Sequence, residues 1–203
     1  PGGAHRLGRA SGPAPGGGGV TTTEREPLRL EAIVARAVAT VDERGADALS
    51  LRALARDLGV SAPALYDHIR SKDDLLRLVA REGYAVLATR WAELDPADPV
   101  AWIRASAHAY VDFALDRPGL FALMFRFRPA FVEGPGEVED EAATEVFGRA
   151  LGNVEQAVGT GLLVGDPVEL ALALWAAVHG VATVLSMSPE MGGARWLVDR
   201  VVD

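Results

Sequence analysis

The chain has 203 residues, 49% of them apolar and 24% charged, which is enough apolar material for a sizeable core and too much for a disordered chain. It contains no cysteine, which excludes a disulfide framework, a thiol nucleophile and a thiolate metal site. Its net charge of −8 is unevenly spread: residues 1–23 carry +2, residues 24–72 balance 8 basic against 8 acidic groups, and residues 73–203 carry −10.

Residues 1–23 are rich in Gly and Pro with almost nothing to bury, and read as a flexible arm. They hold no apolar core of a secretory signal, and no Lys-Ser or Lys-Thr follows the glycines, so a phosphate-binding loop is not expected. Arg6 and Arg9 are the arm's only charges and are read as a solvated tail. A first helix is expected from about Leu30 to Arg44, with Ile33, Val34, Ala37, Val38 and Val41 on its apolar face and Gly45 as its stop.

Ser50 to Ile69 then reads as two short helices joined by a tight turn. Ser50 can cap the first helix, and Leu51, Leu54, Ala55 and Leu58 make its apolar stripe at i, i+3, i+4 and i+7. Gly59 supplies the left-handed residue that ends a helix, and Ser61 is the expected cap of the second, with Pro63 tolerated in its first turn. Leu65 and Ile69 point back toward the first helix, whereas Ala62, Ala64, Tyr66, Asp67 and His68 are left outward or lateral. That division suits a helix-turn-helix, whose second helix enters the major groove.

Ser71-Lys72-Asp73-Asp74 resembles a capping box with Asp in place of Glu, and starts a long helix carried by Leu75, Leu76, Val79, Tyr84, Leu87 and Trp91 to the break at Asp95-Pro96. A further helix starts near Pro99 and presents Ile103, Ala107, Tyr110, Val111 and Ala114 before Arg117-Pro118-Gly119. Residues 128–140 read as a loop. From about Glu141 to Val158 an amphipathic helix carries Gly148 and Gly152, small residues that let another helix approach. Asp166-Pro167 caps the next helix, whose run from Leu170 to Leu185 is apolar nearly all round and should therefore be buried. The run is long enough to cross a bilayer, but it is Ala-rich, contains His179 and lacks flanking basic residues, so no membrane span is expected. A last short helix is expected around Trp196 to Val201, and no segment alternates with period two; the expected fold class is all-α.

The wider string resembles a known family. Ala48-Leu49-Ser50-Leu51-Arg52-Ala53-Leu54-Ala55, Leu58-Gly59-Val60-Ser61, Ala64-Leu65-Tyr66-Asp67-His68-Ile69 and the following Lys72 are similar to the DNA-binding domain of the tetracycline-repressor (TetR) family of bacterial regulators. Leu-Tyr-x-His followed four residues later by Lys is the specific part. The resemblance implies an arm over residues 1–23, a three-helix DNA-binding domain over 24–72 and a larger C-terminal ligand-binding and dimerisation domain over 73–203. It implies DNA contacts at Arg52, Ser61, Ala62, Pro63, Ala64, Tyr66, His68 and Lys72, and departs from the family at Arg29, where a capping Ser or Thr is usual. Ala62 and Ala64 offer only methyl groups to thymine, so direct base reading is thin.

In the C-terminal half the resemblance implies an apolar effector site, with candidates Trp102, His108, Tyr110, Phe113, Phe121, Met124, Phe125, Trp175 and His179. Trp175-x-x-x-His179-Gly180 resembles the signature of one TetR C-terminal subfamily, the WHG type, and a histidine satisfied in the core is the expected role of His179. The implied partners are a palindromic double-stranded DNA operator, a small apolar effector, and a second copy docked through helices at about 141–161 and 167–187; no cofactor, metal or catalytic residue is expected, and the expected location is the cytoplasm. The alternatives are a helical small-molecule or protein-interaction module without DNA binding, and a helical enzyme. The four histidines show no ligand spacing, and Gly-x-Ser-x-Gly and His-Glu-x-x-His are both missing.

Overall fold

Local punctuation fixes most of the helix boundaries. In the computed structural model, which describes residues 2, 28–95, 97–127, 141–188 and 194–202, the described residues form helices and connecting turns with no strand. Helix α1 spans Leu30–Arg44 and ends at Gly45, whose φ of 79° most side chains resist. Its Arg29 cap position makes no side-chain cap bond, in line with the departure noted from the sequence. A 3-10 turn (Ala46–Ala48) leads to α2, Leu51–Leu58, where the Ser50 hydroxyl accepts from the Ala53 amide at 3.4 Å and Gly59 closes the helix in the left-handed region at φ 67°, ψ 31°.

Helix α3 is only Ala62–Tyr66, shorter than the sequence suggests. Ser61 sits at its N-cap position with extended backbone, but its hydroxyl makes no cap bond, so the expected cap is not formed; the Ser61 carbonyl instead accepts the Ala64 amide at 3.1 Å. Leu65 and Ile69 are buried, which places the chain after Tyr66 by packing, with the Ile69 amide still bonded to the Leu65 carbonyl at 3.0 Å.

Helix α4 runs from Lys72 to Ala92. Ser71 caps it by accepting from the Asp74 amide at 3.0 Å, but Asp74 reaches the amide of Arg70 at 2.8 Å and not that of Ser71, so half of the expected capping box is displaced by one residue. Helix α5 is Pro99–Asp116 and α6 is Pro118–Met124; the latter is absent from the sequence reading. Helix α7 spans Glu141–Gly159, α8 Pro167–Met187 and α9 Trp196–Val202. Asp98 and Asp166 each accept from two first-turn amides, and each precedes a proline at a position that lacks an intrahelical partner anyway. The arm and the 128–140 loop expected from the sequence lie outside the described residues, apart from Gly2.

One continuous core links the N-terminal and C-terminal halves, from Ile33 and Leu65 through Leu76 and Leu87 to Phe113, Leu120 and Leu185. Helix α5 packs against α8 and α7, and α6 is wedged between α1 and α4. The wedge is tight: the Cα of Gly119 faces the Val41 carbonyl, Arg117 Nε donates to Asp42 at 3.0 Å, and Arg126 reaches Asp47 at 3.3 Å.

Helix α8 departs from expectation. Of its 21 residues only Ala171, Val178, Ala182 and Leu185 are buried in the single chain, while Val168, Leu172, Val184 and Met187 are exposed. It is, among the described residues, the one helix long and apolar enough to cross a bilayer. An apolar surface on both sides of a helix, with one side packed on α5 and α7, leaves the other side for a second partner.

Candidate functional sites

The helix-turn-helix exposes what a DNA reader needs. Arg52, Pro63, Asp67 and His68 are exposed, Tyr66 is 57% exposed, Ala62 is half-buried against the core and Ala64 is half-buried. Ser61 is exposed beside them. Lys72 occupies the first turn of α4, where the helix dipole disfavours a cation unless an anion is near. The scaffold behind this face is stitched by Arg36 to Asp57 at 2.8 Å, joining α1 to α2. That hydrogen bond holds the Asp57 carboxyl below the usual carboxylate range, so the α2 acid carries a matched cation.

The second site lies in the C-terminal half. A cavity of ≈ 70 Å³ opens between α5, α7 and α8, walled by Trp91, Trp102, Tyr110, Val154 and Trp175. A smaller one of ≈ 40 Å³ adjoins it; Trp91, Tyr110, Ala150, Ala171 and Trp175 wall both. Trp91 is held edge-on to Trp102 at 5.3 Å and donates its indole N–H to the Ser106 carbonyl at 3.2 Å. A larger hollow of ≈ 650 Å³ between α1 and α4 is an open cleft with Glu31, Arg81 and Glu82 on its lips.

Trp175 and His179 share one face of α8 and converge on one phenol. Their rings stack at 5.4 Å, and the Tyr110 hydroxyl lies 2.9 Å from His179 Nδ1. The Trp175 indole, which can only donate, hydrogen-bonds the same phenol, so the phenol hydrogen goes to His179. This assigns the His179 tautomer with hydrogen on Nε2, which faces Thr183 Oγ1 at 3.5 Å. Burial pushes the Tyr110 phenol far above its ordinary range, opposed by the Trp175 bond, and burial lowers the His179 pKa. Tyr110 and His179 are both neutral at pH 7, and Trp175, Tyr110 and His179 form one chain of hydrogen bonds.

Of the effector-site residues read from the sequence, Trp102, Tyr110, Phe125 and Trp175 wall the cavities. Phe121 and His179 back that wall, with Phe121 5.6 Å from Tyr110 and Phe125 4.4 Å from His179. Phe113 and Met124 lie in solid core and reach neither cavity. His108 is turned away: its Nε2 meets Asp199 at 2.9 Å on the outer side, tying α5 to α9. Phe147 walls the smaller lobe, and so does Trp91, whose place on the apolar face of the connecting helix gave no sign from sequence that it borders a void.

Residues 33–89 match the family model described as bacterial regulatory proteins of the tetR family, and residues 103–193 match the tetracyclin repressor-like C-terminal domain. An uncharacterized HTH-type transcriptional regulator of Mycobacterium tuberculosis is 30% identical over 176 residues, 84% of this chain and 77% of that protein. A second HTH-type regulator, from Mycobacterium bovis, is 31% identical over 59% of this chain and 53% of its own length. Among solved structures, a protein of unknown function from Rhodococcus sp. RHA1 superposes with a TM-score of 0.70 at 33% identity, covering 89% of this chain and 93% of that one. A TetR variant from Acinetobacter baumannii in complex with minocycline shares the fold, with a TM-score of 0.62 at 23% identity over 86% and 94% of the two chains.

Proposed function

This chain belongs to the TetR family of DNA-binding transcriptional regulators, and from that premise we propose that it is a ligand-responsive repressor acting in the cytoplasm, with no catalytic role. It binds a palindromic operator as a homodimer, with one α3 in each of two successive major grooves ~34–36 Å apart. Residues 24–72 form the reader and 73–203 the sensor. The observation that carries the reading is the helix-turn-helix face, where Arg52, Tyr66 and His68 are exposed and Ala62, Ala64 and Lys72 half-buried.

Affinity in this reading comes mainly from phosphate contacts, and sequence preference from thymine methyls, Arg52 and DNA shape. The dimer seam uses the exposed apolar side of α8 with the glycine-bearing side of α7, as in a two-fold four-helix bundle. A small apolar effector enters between α5, α7 and α8 and shifts the population toward a helix spacing that no longer fits the operator. Helix α6 is the mechanical link, because Phe121 touches Tyr110 and His179 while Gly119 and Arg117 rest on α1.

The test is operator selection from genomic DNA with purified full-length protein, followed by titration across salt. A palindromic site with half-sites one turn apart is expected. Lys72→Ala should weaken binding evenly across sequences and reduce the slope of log K against log salt by about one. A salt-independent affinity, or an unchanged slope in the Lys72 variant, overturns the reading.

A further inference from the structure

We propose that the cavity between α5, α7 and α8 takes a neutral molecule built on a single aromatic ring with a short apolar substituent, and rejects charged molecules of the same skeleton. The inference rests on the reading of this half of the chain as an effector sensor, and goes beyond it by fixing the ligand's charge, size and ring character.

Size comes first. The two lobes measure ≈ 70 and ≈ 40 Å³, and each is well below the ~150 Å³ of an apolar cavity known to hold benzene. One ring therefore needs both lobes together with a turn of their shared wall. Trp175 is the element of that wall able to move, being only partly buried, whereas Trp91 and Tyr110 are 6% and 4% exposed and held by α4 and α5. A fused multi-ring ligand would also have to displace the buried Tyr110 and Trp102.

Charge comes next. Among the described residues, no Asp, Glu, Lys, Arg or His lines either lobe. The titratable groups in the wall are the phenols of Tyr84 and Tyr110, and His179, kept neutral by burial, backs Tyr110. A carboxylate or ammonium brought into this space would be desolvated without a counter-charge, which apolar sites do not tolerate.

Hydrogen bonding points the same way. Ser106 donates to the Ile103 carbonyl at 2.9 Å, Trp91 to the Ser106 carbonyl, Trp175 to the Tyr110 phenol, and Tyr110 to His179. These lining groups already spend their hydrogens on protein acceptors. Beyond the indole N–H of Trp102, what the wall offers a ligand is ring surface from three indoles and a phenol, which favours an aromatic guest over an aliphatic one of equal size through edge-to-face contact.

Three of the four tryptophans of the chain wall the cavity, while Trp196 is 58% exposed, so indole fluorescence excited at 295 nm reports occupancy. Full-length protein is titrated with toluene, methylcyclohexane, benzoate and benzylamine at pH 7, and the operator fragment is followed in parallel. Toluene is expected to saturate the signal, methylcyclohexane to bind severalfold more weakly, and benzoate and benzylammonium at least tenfold more weakly. Ala150→Leu, which fills a wall common to both lobes, should reduce toluene affinity at least tenfold. If that variant does not fold, the four-compound series stands alone.

Benzoate or benzylammonium binding within threefold of toluene overturns the charge argument; methylcyclohexane equal to toluene overturns the ring argument. Failure of all four compounds to saturate overturns the site. If toluene saturates the cavity and operator affinity does not move, the ligand class stands and the effector reading fails. If a charged compound releases the operator without touching the tryptophan signal, ligand response stands but the effector binds outside this cavity, and the proposal is overturned.

Discussion

Gly119→Ala tests the close approach of α6 to α1. A Cβ at Gly119 would fall well inside 3.0 Å of the Val41 carbonyl oxygen, with the Val41 carbonyl carbon at 3.2 Å and Asp42 Cα at 3.6 Å. That oxygen cannot simply retreat, because it accepts the Gly45 amide at 2.8 Å and so ends α1. Nor can α6 slide outward freely, since Arg117 is bonded to Asp42 and both Leu120 and Phe121 are buried. Overpacking of this kind costs about 1–3 kcal/mol, against up to about 1 kcal/mol recovered from the better helix propensity of alanine. A net loss of roughly 1–2 kcal/mol lowers Tm by about 2–8 °C for a chain of this size. Thermal unfolding followed by circular dichroism, at one fixed protein concentration because an oligomer's Tm depends on it, gives the answer. A Gly119→Ala Tm at or above wild type refutes the close approach.

The same wedge shows what could and could not be read from the sequence. The ends of α1, α2, α4, α5 and α8 were legible because each is written in a few adjacent residues: Gly45, Ser50 with Gly59, Ser71, Asp98-Pro99 and Asp166-Pro167. Helix α6 was not legible. Pro118-Gly119 reads locally as a stop, and seven residues are too few to establish a period; the helix exists because Leu120, Phe121, Leu123 and Met124 all find cover between α1, α4 and α5. The candidate effector site was half legible for the same reason. Aromatic content pointed to the region, but which aromatics bound a void depends on packing between helices far apart in the chain. His108 faces an Asp 91 residues away, and Trp91, read as the buried face of a connector, turns out to wall the cavity. The Trp-x-x-x-His spacing was visible as a pattern; its use, two side chains of one helix face bonding a single tyrosine on α5, needed the partner helix.

Tyr110→Phe removes one oxygen and leaves His179 Nδ1 and the Trp175 N–H without their shared partner, so urea unfolding should show a loss of about 1–3 kcal/mol, with toluene affinity held within severalfold; no loss would mean that the network is decorative. The His179 pKa is depressed in the folded chain, so below its unfolded value of about 6.5 the unfolded state takes up more protons and stability falls with acid until the folded pKa is passed. Wild type should therefore lose Tm more steeply than His179→Gln between pH 7.5 and 5.5, and equal slopes would contradict a neutral His179. The dimer seam is tested by two substitutions six residues apart on α8. Ala176 is exposed, so Ala176→Arg adds a charge only to the free face and is expected to give a folded, monomer-sized species by light scattering. Ala182 is 0% exposed and sits in the core, so Ala182→Arg buries an unpaired cation and should unfold the chain before it says anything about assembly. The pair separates the two faces of a helix that is apolar on both. A dimer that survives Ala176→Arg would leave Leu172, Val184 and Met187 exposed for some other reason, whereas a folded Ala182→Arg would mean that α8 is rotated from its position against α5.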